Sequence, residues 1–395
     1  MDLTLVFAQF TLILVAGIIV KMACDRLNFP YVVWLAPVGT LLASYGLLQI
    51  DLLGFLPELV RTLALIIIVF SAGFHLRFKE MLKESRAIIS LSTLGVVITT
   101  IVIAGTGFWL LSIPFATALL FGALLSGTDP ASIAGQENQK KESKLMTILR
   151  SESVLNAPLT IILPFFILDY LSQVQMGQQI LLIEILGVNI FKLVSLAVIG
   201  AAIGFIVYKI ASIAIKQFRV RHVEAVGLTV ALASFVLAEL LGGSGFLAVA
   251  VCSIFLSNVR IPKKKWLGEF NKELAFIFTV VVFILLGAEF TFGDLAFLTR
   301  LDVIAIILAL IFGRLIASFV SLSGSDLSFK EKFQLGLIAP KGVAPAALAP
   351  LLLIPFYGVI AAEKIVVITY VAIIFSILFS LVLLKVVLRS EEDGL

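Results

Sequence analysis

Thirteen mostly apolar stretches follow one another from Leu3 to Val387, separated by short polar loops. Hydropathy and turn signals place them near residues 3–21, 30–49, 58–76, 87–112, 114–136, 145–170, 185–208, 223–241, 243–259, 268–288, 302–322, 333–353 and 362–387. A helix needs about 20 apolar residues to cross a bilayer, so the pattern predicts an all-α polytopic membrane protein. Dividing 395 residues among thirteen spans leaves about 30 for each span with its loop. No sizeable soluble domain is left over, and the tail after Val387, LRSEEDGL, is too short for one.

Composition agrees: the chain is 61% hydrophobic, with mean hydropathy +1.16, far from a soluble globular average. The N-terminal MDLTLVFAQF lacks the basic region and small-residue cleavage site of a signal peptide, so the first stretch reads as a retained span. Cys24 and Cys252 have neither metal-site nor redox spacing and read as packing residues. The net charge of +4 does not point to nucleic acid, because the basic residues cluster beside the spans, as membrane insertion requires.

Most of the 29 lysines and arginines fall in alternate loops. Lys21 and Arg26, Arg77 to Arg86, Lys140 to Arg150, Lys209 to Arg221, Arg260 to Lys265, Lys330 and Lys332, and Lys385 with Arg389 would share one side. Arg61, Lys192, Arg300 and Lys364 would share the other. The positive-inside rule then puts the N-terminus outside and the C-terminus in the cytoplasm.

A few charges fall where hydrocarbon is expected. Each costs about 2.5–3.5 kcal/mol even on the lenient insertion scale, so such residues mark substrate or ion pathways. The fifth stretch ends in FGALLSGTDPASIAG, where Gly127 and Pro130 flank Thr128 and Asp129. Proline cannot complete the helical ladder and disfavours helical geometry one residue earlier, so the helix is predicted to break mid-membrane. The twelfth stretch, LGLIAPKGVAPAALAP, carries Pro340, Lys341, Gly342 and Pro345 to the same effect. Two interrupted segments at corresponding places in halves of inverted topology point to a transport site.

The sixth stretch, ILRSESVLNAPLTIILPFF, puts Glu152 and Asn156 four residues apart on one face, beside a stripe of Ser153, Asn156 and Thr160. Pro158 and Pro164 free the carbonyls of Val154 and Thr160. These are oxygen ligands for a hard monovalent cation. Arg314 and Lys341 would balance the charges of Asp129 and Glu152, so Glu152 is expected to pair with one of the two bases. A carboxylate in a partly dry cavity can hold either a proton or a cation near neutral pH, and competition for it couples the two ions.

The motifs SGTDPASI, ESVLNAPL, FILLGAEF (Phe283 to Phe290), GRLIA and PKGVAPAAL, in this order and spacing, resemble the cation:proton antiporter superfamily. The similarity is greatest to archaeal and bacterial electroneutral sodium/proton antiporters, members of the sodium/hydrogen exchanger family. The resemblance implies inverted repeats with two crossing broken helices, alternating access, and a homodimer in the cell membrane. It implies a core of residues 86–172 and 301–388 moving against a dimerisation part of residues 1–85 and 173–300, with 389–395 as a short tail. By the same likeness the ion and proton site comprises Thr128, Asp129, Glu152, Ser153 and Asn156, with Arg314 and Lys341 at the family's basic positions. The partners would be H+ and Na+, K+ or Li+, with no cofactor.

The likeness breaks at two acids. The family's sixth span carries Asn-Asp where this chain has Asn156 and Ala157, and its twelfth carries Glu-Gly-Pro-Arg-Gly where this chain has Ile338, Ala339, Pro340, Lys341 and Gly342. Three readings fit Ala157: an antiporter using Asp129 or Glu152 instead, a member with altered or lost coupling, or an introduced substitution. The joint loss at 157 and 338 favours drift of the whole site. A sodium symporter or a channel-like relative on the same scaffold is the competing reading.

An intramembrane hydrolase, suggested by GGSGF (Gly242 to Phe246), lacks a base, because the two histidines, His75 and His222, fall in basic loops. The Gly242 to Gly245 segment reads as a tight external turn. Glu239, Glu289 and Asp169 lie at outer span ends, where acids could line an entrance.

Overall fold

The computed structural model describes residues 3–27, 29–110, 114–129, 144–175, 182–217, 222–259, 261, 263–289, 293, 299–353 and 360–392. Among these residues every regular element is helical and no strand occurs. In chain order the helices are α1 (Leu3–Arg26), α2 (Val32–Ser44), α3 (Leu56–Phe74), the short α4 (Phe78–Lys83) and α5 (Ser85–Ser90), α6 (Val96–Leu110), α7 (Phe115–Leu124) and α8 (Lys144–Gln175). They continue with α9 (Leu182–Gln217), α10 (Val223–Leu240), α11 (Gly245–Ser257), α12 (Lys264–Ala288), α13 (Arg300–Ser321), α14 (Phe329–Leu337), α15 (Val343–Leu353) and α16 (Ile360–Glu392). A 3-10 turn covers Ile50–Leu53, and a π-helical turn at Leu91–Gly95 joins α5 to α6.

Nine helices among the described residues have the length and apolarity to cross a membrane, counting Ser85–Leu110 as one. Apolar stretches that fold shorter include α2, α7 and α11. In a bilayer every backbone group must be satisfied internally, which is why an apolar chain of this kind folds as helices.

Small residues let the helices approach closely. A Cβ added to Gly39 of α2 would lie 2.1 Å from the Ile284 carbonyl oxygen of α12, and one on Gly287 would lie 1.9 Å from that of Ala36. Thr40 Oγ1 donates to the Gly287 carbonyl across the same contact at 2.8 Å. Such backbone-to-backbone packing replaces the hydrophobic drive that lipid does not supply. Helices α2 and α3 pack on α12, and α9 packs on α10 and α11. A second set joins α6 to α7 and α13, α13 to α14, and α15 to α16, while α8 and α15 touch both α3 and members of their own set.

Two local expectations need correction. The fifth stretch, expected at 114–136, is helical only to Leu124, and Gly127–Asp129 belong to no regular element; residues 130–143, with Pro130, lie outside the described residues. The fourth stretch is an α–π–α run rather than one regular helix. Arg61, expected near the external end of the third stretch, is buried within α3. Residues 242–244 form a turn, with Gly242 at φ +73°, and Gly245 already begins α11. Ser244 caps α11 there, its hydroxyl accepting from the Leu247 N–H at 3.3 Å.

Candidate ion-binding site

Two helix breaks meet. Helix α7 stops at Leu124, and the chain opposite it leaves α14 at Leu337, runs irregularly through 338–342 and re-enters helix at Val343. The Asp129 N–H donates to the Pro340 carbonyl at 2.8 Å, and Asp129 Oδ2 accepts from the Val343 N–H at 3.3 Å. That places a carboxylate at the N-terminus of α15, where unpaired N–H groups and the helix dipole favour negative charge. Lys341 reaches the other way, its Nζ donating to the Gly127 carbonyl at 2.8 Å. Helix α16 holds the break open: Ser376 Oγ accepts from the Lys341 N–H at 2.9 Å and Ser380 Oγ from the Ala339 N–H at 3.2 Å.

Gly342 is required by this crossing. A Cβ there would sit 1.8 Å from Asp129 Oδ2, so any side chain would displace the carboxylate.

Helix α8 supplies the third wall, despite carrying Pro158 and Pro164 in its interior. Glu152 and Asn156 share a face as the spacing predicts, and Asn156 Nδ2 donates both to Glu152 Oε1 at 3.3 Å and to Thr128 Oγ1 at 3.1 Å. Thr128 Oγ1 in turn reaches Glu152 Oε1 at 3.5 Å. Of the two candidate bases it is Arg314 that pairs with Glu152, Nη2 to Oε2 at 2.5 Å. Glu152 is 0% and Arg314 1% exposed, so neither charge is satisfied by water. Both oxygens of Glu152 are therefore engaged by protein donors.

One ligand atom is left over. Asn156 Oδ1 is buried and has no hydrogen-bond partner among the described residues. A buried amide oxygen without a donor costs about 1–3 kcal/mol, a cost that a coordinated cation would remove. Ser153 is half-buried and makes no hydrogen bond to this cluster, so it does not join the other sequence-predicted ligands. Ala157 is also half-buried, one residue beyond Asn156, and its carbonyl accepts from Thr160 Oγ1 at 3.1 Å. No carboxylate enters the site from that position.

Sequence reasoning missed one buried ion pair. Arg61 of α3 and Glu289, at the end of α12, meet at 2.5 Å with side-chain exposures of 3% and 12%. The available signal was their opposite charge at the same predicted membrane side. It was read as two interfacial residues because nothing in a hydropathy profile brings the third and tenth stretches together.

The family model described as "Sodium/hydrogen exchanger, transmembrane" matches residues 10–389. The chain belongs to the sodium/hydrogen exchanger family. Among exchanger relatives it is 26% identical over 372 residues to the probable Na(+)/H(+) antiporter 2 of Methanocaldococcus jannaschii, covering 88% of this chain and 85% of that one. It is also 26% identical over 411 residues to the Na(+)/H(+) antiporter NhaH of Halobacillus aidingensis, with 98% of each covered. The fold matches the solved structure of the sodium proton antiporter MjNhaP1 from Methanocaldococcus jannaschii at pH 8 with a TM-score of 0.84, over 97% of this chain and 100% of that one, at 22% identity. These relatives are transporters by name.

Proposed function

We propose that this protein is a monovalent cation/proton antiporter of the cell membrane, serving pH and cation homeostasis, with its N-terminus outside and C-terminus in the cytoplasm. The cation, Na+ or K+, binds at the crossing through Thr128, Asn156 and the charges of Asp129 and Glu152, with Ser153 entering only when the site rearranges. Proton and cation compete for the negative charge of the two carboxylates. Access alternates as residues 86–172 and 301–388 move against residues 1–85 and 173–300, the latter forming a homodimer.

The observation that carries this reading is the unpartnered Asn156 Oδ1 in a buried cluster with Thr128 and Glu152, beside Asp129 at two helix breaks. A hard cation takes oxygen ligands of this kind. An unfilled acceptor next to ionised groups in a dry site is costly without one.

One observation favours a second reading. Ala157 brings no carboxylate to the cluster, which leaves an uncoupled relative, whether a symporter, a channel-like protein or a transport-deficient one, on the same scaffold. Reconstitution into liposomes with an imposed pH gradient separates the two. Antiport predicts that external Na+, K+ or Li+ collapses the gradient and that Asp129→Asn abolishes the collapse. Cation-dependent current without proton movement would establish the uncoupled reading instead.

A further inference from the structure

We propose that a small monovalent anion of the halide class binds in the core between Arg314, Ser321 and Gly95, and that its charge offsets that of the cation at the crossing. The second half rests on the antiporter reading; the anion site itself does not. A guanidinium is a fork of donors with no acceptor, and only Nη2 of Arg314 meets Glu152. Its Nε and Nη1 are buried and have no hydrogen-bond partner among the described residues, and neither has the Ser321 hydroxyl. Arg314 is 1% and Ser321 8% exposed, so bulk water does not serve these donors. Buried donors in this position call for an acceptor.

Two of the donors face one place. A Cβ built on Gly95 would lie 3.6 Å from Ser321 Oγ and 3.8 Å from Arg314 Nη1, with the Leu91 side chain as the other near neighbour at 3.6 Å. The absent side chain of this glycine thus leaves space between them. Gly95 is the last residue of the π-helical turn, a conformation that recurs at functional sites. The turn packs on α13 and α8, the helices that carry Arg314 and Glu152. Ser90 Oγ donates to the Ser321 carbonyl at 2.5 Å, which ties the end of α13 to α5.

The chemistry of the place favours an anion over water. A buried water must give its own hydrogens as well as receive, and the acceptors here are in use. The Gly95 carbonyl accepts from Thr99 Oγ1 at 2.7 Å, and the Ile88 carbonyl from Ser92 Oγ at 2.7 Å. A halide needs donors only, and guanidinium N–H groups make charge-assisted bonds to anions. Charge decides when it binds. Among the described residues, the charged side chains at the crossing are Asp129 and Glu152 against Arg314 and Lys341. They cancel when all are ionised, and Ala157 contributes nothing. A cation held by Thr128 and Asn156 adds a positive charge in a dry site, where uncompensated charge is expensive. A halide on the guanidinium edge that Glu152 does not use offsets it, so each ion strengthens the binding of the other.

The test uses the full-length protein in detergent, melted in chloride, bromide and gluconate at matched ionic strength, each as the sodium, potassium and choline salt. Chloride and bromide should raise the native melting temperature over gluconate, and more so with Na+ or K+ than with choline. Gly95→Ala places a methyl group in the space at ordinary contact distances, at a position that needs no positive φ. It should fold, melt as the native protein does in gluconate, and lose the halide response. Ser321→Ala removes one donor and should raise the half-maximal halide concentration by about 10-fold. Crystals grown in NaBr should show an anomalous bromide peak within hydrogen-bond distance of Arg314 Nη1 and Ser321 Oγ. A halide response equal in native protein and Gly95→Ala, or none over gluconate in the native protein, would overturn the site. Should Gly95→Ala fail to fold, an unchanged halide response in Ser321→Ala would overturn it equally. A response as large in choline as in Na+ and K+ salts would overturn the coupling of the two ions. Absence of exchange by the native protein in liposomes would defeat the antiporter reading instead, and leaves the bromide result to stand by itself.

Discussion

At Gly342 a single hydrogen atom decides whether the two broken segments can cross. With Asp129 Oδ2 only 1.8 Å from where a Cβ would be, Gly342→Ala should expel the carboxylate from the N-terminus of α15. Overpacking of this kind costs about 1–3 kcal/mol, so the variant should melt at lower temperature in detergent and lose cation-dependent proton flux. Glu152 and Arg314 are the opposite case, a contact whose loss leaves something behind. Because both are fully buried, Glu152→Ala strands a guanidinium in the core and should destabilise by about 3–5 kcal/mol. The same melting assay should show much of that recovered in a Glu152→Leu/Arg314→Met double variant, since an apolar pair of similar volume leaves no charge unpaired.

Helix breaks were the most legible elements, because proline and glycine act through local backbone chemistry that needs no tertiary information. SGTDP and APKG named both breaks, and the i,i+4 spacing of Glu152 and Asn156 placed a polar face that the hydrogen bonds bear out. What could not be read was partner choice. Whether Glu152 would take Arg314 or Lys341 depends on where three helices cross, and sequence separation carries none of that. The half-buried position of Ser153, without a bond to the cluster, follows from the same gap: one residue along a helix turns the side chain by about 100°.

Helix α14, which delivers the second break, begins with a capping box between Ser328 and Glu331. Burial pushes the Glu331 carboxyl up, but bonds from the Ser328 N–H and hydroxyl, with the Lys144 ammonium, outweigh it and hold the group below its ordinary value of 4.5. A carboxyl lowered by folding stabilises the native state above that ordinary value, and the stabilisation is lost as pH falls through the lower folded value. The native melting temperature should therefore drop more steeply below about pH 4.5 than that of Glu331→Gln, as measured by a pH series of thermal melts.

For the whole molecule, the apolar pattern was enough to give a polytopic helical protein, since in lipid the backbone leaves few alternatives. It could not give the packing of α2 on α12 through Gly39 and Gly287, or the buried Arg61–Glu289 pair, because both join segments far apart in sequence. Charge asymmetry between loops gives the proposed orientation, and labelling can check it. Cys24 and Cys252 are buried, so a cysteine introduced at exposed Tyr45 or Lys79 would dominate the signal. An impermeant maleimide added to intact cells should label Tyr45→Cys and spare Lys79→Cys, with the reverse in inverted vesicles.

If cation and proton displace one another at the crossing of the two breaks, cation binding must release protons even without a membrane. Purified protein in weakly buffered detergent near neutral pH should acidify the solution when NaCl or KCl is added, by about one proton per cation bound, while choline chloride releases none. Cation binding without proton release, or no response to either salt by folded protein, would contradict the account.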